Sequence, residues 1–116
     1  MVKNIKKFEF YGIPLEDLGL PSRWWGETPL FNQKDSFRLF DYCKSNGYGI
    51  LGIEGFDFSD NSRIPNMNAI VDFSELLKID PSGFKDKSIE IAKGFLCDFI
   101  ETSIEFEFCL IKLDTK

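Results

Sequence analysis

The sequence contains no histidine. Ser-His-Asp and Cys-His nucleophilic machinery both need an imidazole, and histidine is the commonest general base near neutral pH. Those chemistries are therefore excluded, together with zinc sites built on histidine. Cysteine is scarce as well. Cys43, Cys97 and Cys109 are widely separated and show no C-x-x-C spacing, which rules out a zinc ribbon or a thioredoxin-like dithiol. Cys43 and Cys97 fall on the apolar side of predicted helices and read as small buried hydrophobes, reduced in an intracellular setting. Positive charge is in deficit: 14 Lys and Arg against 19 Asp and Glu leave a net charge of −5. A nucleic-acid binder needs a cationic footprint to displace counterions from phosphates, so no nucleic-acid partner is expected, whereas a basic protein partner suits the charge. No apolar run approaches the roughly 20 residues of a membrane span. The opening "MVKNIKKFEFYGIP" has neither an apolar h-region nor a small-residue cleavage site. A cytoplasmic location without a membrane partner is the expectation.

What is abundant is phenylalanine, 13 residues in a chain of 116. That length suits one domain (1–116) with one core, and most of these rings are expected inside it. "IKKFEFYG" alternates Phe8 and Phe10 with Lys7 and Glu9 and reads as a strand. "IPLEDLGLP", between Pro14 and Pro21, has room for one short helical turn. "SRWWGETPLFN" reads as an irregular loop. "KDSFRLFDYCKSNG" is a helix with Phe37, Phe40 and Cys43 in a stripe that Leu39 widens, closed by Asn46-Gly47. "YGILGIEGFDF" is β-like, "DFSDNSRIPNMN" a polar loop, "NAIVDF" a short strand and "FSELL" a single turn. "FKDKSIEIAKGFLCDFIETS" carries Ile89, Ala92, Phe95, Leu96, Phe99 and Ile100 at helical spacing, and Gly94 inside it suggests a close helix–sheet contact. The final "IEFEFCLIKL" is a strand with Ile104, Phe106, Phe108 and Leu110 inward and Glu105 and Glu107 outward. These elements predict an α+β fold: a small, mainly antiparallel sheet of about four strands with two main helices on one face.

Gly47, Gly49 and Gly52 spell a literal G-x-G-x-x-G, and Asp72 follows at the spacing of a ribose-binding acid. A dinucleotide site needs a strand before these glycines and a helix opening among them, because the helix N-terminus holds the pyrophosphate. Here the order is inverted. Gly47 ends a helix, and Gly49, Gly52 and Gly55 mark a strand that bends or admits a close neighbour. No Gly-Lys-Ser/Thr is present for a P-loop, and no cofactor is expected.

Two groups of residues could carry function. Glu54, Asp57 and Asp60 cluster in "EGFDFSDN". A carboxylate pair or a magnesium site is conceivable there, but the calcium-loop pattern fails, with Ser62 at the turn glycine and Asn68 at the terminal glutamate. A solvated loop or an acidic docking surface for a basic partner fits better, and no catalytic or metal residue is assigned. Trp24 and Trp25, beside Arg23 and Glu27, should point opposite ways in an extended segment. One is expected to plug the core and the other to face out as an interface anchor.

The run "GYGILGIEGFDFSDNSRIPNMNAIVDFSEL", residues 47 to 76, resembles a family of small bacterial immunity proteins from polymorphic-toxin and contact-dependent growth inhibition systems. There a "G-[IV]-[LV]-G-x-E-G-F" segment leads through a polar loop to a proline and an "A-I-x-D-F-S" segment, before a phenylalanine-rich helix and strand. The matching residues are Gly49 to Phe56, Pro65, Ala69 to Ser74 and Phe84 to Leu113, with Trp25-Gly26-Glu27 fitting more loosely. The resemblance implies a non-enzymatic cytoplasmic inhibitor that binds the C-terminal domain of a cognate toxin, often a nuclease. With it, Glu54, Asp57, Asp60, Trp24, Trp25 and Glu27 become the expected partner-binding residues. Two alternatives stay open: a small carboxylate-dependent metal-binding or hydrolytic domain, and a module that homodimerises through an edge strand or the tryptophan surface.

Overall fold

Along the last strand Phe106, Phe108 and Leu110 are buried, while Glu107 and Cys109 between them are not. This two-residue period separates the sheet into a helix-covered face and an opposite one. The computed structural model describes residues 10–21, 23–59, 62–99 and 103–113. After a single 3-10 turn (Glu16–Leu18) come β1 (Arg23–Trp25), β2 (Thr28–Leu30), α1 (Gln33–Asn46), β3 (Tyr48–Ser59), β4 (Ser62–Asp72), α2 (Ser74–Ile79), α3 (Phe84–Cys97) and β5 (Glu105–Lys112). The main sheet has the order β4-β3-β5 with antiparallel neighbours, and β1 and β2 form a separate hairpin. Phe31 and Phe106 exchange backbone hydrogen bonds of 2.9 and 2.7 Å, so the chain leaving β2 runs beside the outer edge of β5. The α+β class with an antiparallel sheet is as expected. The strand expected over "IKKFEFYG" lies outside the described residues except for Phe10 to Gly12, where the chain turns instead, with Tyr11 and Gly12 at positive φ.

Helix α1 starts where Asn32 accepts the Asp35 N–H at 2.8 Å and ends at Gly47, whose φ of 83° needs no Cβ. It meets α3 through the Gln33 side chain, which donates to the Leu96 carbonyl at 3.1 Å. Between these helices and the sheet lie the fully buried rings of Phe31, Phe40, Phe84 and Phe106. Phe40 meets Phe108 edge-on at 5.2 Å and Phe99 meets Phe106 at 5.7 Å, a favoured aromatic geometry.

Strand β4 stops opposite Gly52, leaving the end of β3 without a strand partner on that side. Two backbone groups there are met instead by Ser88 of α3 and by Phe73, just before α2. The Ile50 N–H donates to the buried Ser88 hydroxyl at 3.0 Å, and the Leu51 carbonyl accepts the Phe73 N–H at 2.9 Å. Gly49 is required here, because a Cβ would lie 2.6 Å from the Phe84 ring. Farther along, Gly55 on β3 faces four residues, 66–69, on β4, since Glu54 pairs with Ile70 and Phe56 with Pro65. Ala69 fills the space at Gly55, where a Cβ would come within 2.6 Å of it. Met67 stands out on this bulge, 78% exposed.

Four expectations are corrected. "SRWWGETPLFN" is a hairpin closed by Gly26 at φ 64°, not an irregular loop. Most of "DFSDNSRIPNMN" is the end of β3 and the start of β4, an edge strand too polar and too bulged to show a period. Gly94 makes no close helix–sheet contact: it is exposed, and a Cβ there would have open space within 4 Å among the described residues. Cys97, the last residue of α3, is exposed, whereas Cys43 is buried and its thiol is pushed up to about 12 by loss of solvent.

Candidate functional site: the open face of the sheet

On the face of the sheet away from the helices, Glu54 of β3 pairs in register with Ile70 of β4 and Glu107 of β5, and Gly52 pairs with Asp72 and Cys109. Directly paired antiparallel residues project to the same side. These side chains, with Leu51 and Tyr11, surround a hollow of about 540 Å³ whose floor is Gly52. A Cβ at Gly52 would make only ordinary contacts, 3.5 Å to the Val71 carbonyl oxygen and 3.8 Å to Cys109 Cβ. The glycine therefore keeps the floor low without being sterically required.

The rim is acidic and its three carboxylates are held differently. Asp72 accepts the Ser74 N–H at 2.8 Å, an interaction that holds its carboxyl below the usual range and starts α2. Glu107 meets the Arg63 guanidinium at 3.3 Å. Glu54 has no hydrogen bond or ion pair among the described residues, although it stands directly opposite Glu107. Tyr11 forms one wall with a backbone φ of 55°, unusual for a bulky residue. Its carbonyl is anchored by the Tyr48 hydroxyl, which donates at 2.8 Å. Burial is the main influence raising the Tyr11 phenol, with the Cys109 thiol beside it adding to the effect.

At the other end of this face, charged and aromatic groups are layered. The Arg23 guanidinium sits 4.2 Å over Phe58 and donates to Glu105 at 2.6 Å. Arg63 sits 4.1 Å over Phe56 and 5.9 Å from the Trp25 ring, and Trp25 lies 5.4 Å from Phe58. Cation–π contacts and a two-point Arg–carboxylate contact fix the β1–β2 hairpin across the sheet.

The structure thus divides the residues singled out from sequence. Glu54 lies in the hollow. Asp57 falls on the opposite face of β3, where its carboxylate accepts from the Asn66 amide at 2.9 Å. Asp60 lies outside the described residues. Neither tryptophan plugs the core: Trp25 is half-buried against Phe58, and Trp24 is 37% exposed. The buried residues of that hairpin are Pro29 and Leu30 instead, because β2 and not β1 leads into the bridge with β5. Glu27 is exposed in the hairpin turn. Sequence reasoning missed Tyr11, Ile70, Asp72, Glu107 and Cys109 as one group. The outward placement of Glu107 was readable, but its position opposite Glu54 depends on strand register.

Among the described residues no three Cys, Asp or Glu side chains are grouped to hold a metal ion, and no helix is long and apolar enough to cross a membrane. No family model matches the chain, and neither curated proteins nor solved structures give a significant match.

Proposed function

We propose that this chain is a non-enzymatic immunity protein that binds and neutralises a cognate toxin domain in the cytoplasm through an acidic surface. The resemblance of residues 47–76 supplies the class. The observation that carries the surface is the open sheet face, where Glu54, without an ion pair among the described residues, stands opposite Glu107 in a hollow of mixed apolar and acidic lining. A toxin that grips an anionic substrate with Lys and Arg would present the complementary charge, which favours fast association. Asp57 and Glu27 lie elsewhere and drop out of this interface, and so does Trp24, which belongs to the β1–β2 hairpin at the other end of the sheet.

The test is genetic and then direct. The gene immediately upstream in the source organism is sequenced, and its encoded C-terminal domain is expressed with and without this chain. Growth arrest by that domain alone, relieved by co-expression and accompanied by co-purification of the two proteins, supports the reading. A neighbouring domain that is toxic and unrelieved, or no toxic neighbour at all, overturns it.

A further inference from the structure

Glu54 and Glu107 are directly opposed on adjacent strands, a like-charge arrangement that costs a sheet stability. Arg63 reaches Glu107 at 3.3 Å, and nothing described reaches Glu54. Around Glu54 the lining is apolar: Ile70 on β4 is exposed, Leu51 is half-buried, and Tyr11 stands as a wall. We infer that the hollow receives one Lys or Arg side chain from a basic partner segment, its aliphatic stem over Gly52 and Ile70 and its charged end on Glu54. This deepens the immunity reading and rests on it for the identity of the partner.

The free edge of β4 is the competing place for a partner, and its geometry is poor. The four-residue bulge at 66–69 leaves only short regular segments on either side, and Pro65 lacks an N–H, both of which blunt strand addition. The open face has neither obstacle.

Three measurements decide the inference, two of them independent of any toxin. First, Glu54→Gln and Glu54→Lys should each raise the melting temperature of the free protein, by about 1–5 °C, because each relieves the like-charge pair. An unchanged or lower value would mean that Glu54 is not held against its own stability, and the inference falls. Second, the peptide Ac-Arg-Leu-Arg-Leu-Arg-NH₂ is titrated at low salt into isotopically labelled protein. Shifts centred on Gly52, Glu54, Glu107 and Cys109, lost in Glu54→Lys and kept in Glu90→Lys, are expected. Glu90 is exposed on α3 and changes the net charge equally, so equal loss in both variants would reduce the effect to general electrostatics and overturn the site. Third, sedimentation should show a monomer. A dimer that Glu54→Lys dissociates would make a second copy the occupant and end the proposal.

The two readings fail separately. If a neighbouring toxin is neutralised equally well by wild type and Glu54→Lys, the hollow is not its site and the immunity reading stands. If the peptide binds as described but no neighbour is toxic, the cationic site stands and the immunity reading falls. With both correct, Glu54→Lys should weaken toxin binding by at least about 30-fold while melting higher than wild type.

Discussion

The two faces of the central sheet are built from the same strands to different rules. On the covered face, Phe106, Phe108 and Leu110 of β5 meet Ile50 and Ile53 of β3 and the rings delivered by α1 and α3. Even at the end of β3 beyond β4, two backbone groups are met there, by Ser88 and Phe73. On the open face, the intervening residues leave a glycine floor, an exposed thiol and an acid with no partner among the described residues. Residues one position apart in sequence thus differ in what constrains them. The first set is fixed by packing, whereas the second is free to be spent on recognition.

The sharpest contrast uses neighbours. Phe108→Ala should cost about 3–5 kcal/mol in urea unfolding, from lost burial plus a cavity, a large share of the roughly 5–15 kcal/mol of a small domain. Cys109→Ala beside it should stay within about 0.5 kcal/mol. Similar losses in the two variants would erase the distinction between the faces. The glycines repeat the test at smaller scale. Gly55→Ala drives a Cβ to 2.6 Å from Ala69 and 2.9 Å from Ile104 and should cost about 1–3 kcal/mol, while Gly52→Ala on the open face should unfold almost as wild type does. Gly94→Ala should run the other way. With open space around it on the outer surface of α3, it should stabilise by about 1 kcal/mol in the same assay.

The smallest effect concerns the attachment of the covering layer. Asp80 accepts from the Lys87 ammonium at 2.6 Å and from the Gly83 N–H at 3.1 Å, and these hold its carboxyl below the ordinary value of 3.8. A carboxyl lowered by folding stabilises above its unfolded value, and that contribution is lost as pH falls through the folded one. The melting temperature of Asp80→Asn should therefore fall less than that of wild type between pH 5 and pH 3. An equal fall would show that the start of α3 does not depend on this carboxylate.

Much of this architecture was legible in the chain. The stripe of Leu39, Phe40 and Cys43, the stripe of Ile89, Ala92 and Leu96, and the alternation of Phe106 and Phe108 with Glu105 and Glu107 each express one period long enough to read. The misses have a common physical origin. Strands β1 and β2 are three residues each, too short for alternation, and β4 is an edge strand with little to bury on either side. Gly94 was given a packing role that its exposed position does not require. Of the candidate site, Glu54 was found because it lies within a recognisable segment. Tyr11, Asp72 and Glu107 join it only through strand register and a left-handed turn, which local sequence does not encode.

The bulge at 66–69 has a further consequence, one for the history of the chain. Ile70 and Pro65 fix the register on either side of it, so the residues between them set the length of an outward bulge, apart from Ala69, packed at Gly55, and Asn66, whose amide donates to Asp57. Surface segments of this kind accept insertions and deletions most readily. Met67, at its crest, marks where the chain can be lengthened, tagged or cut back while both faces of the sheet keep their alignment.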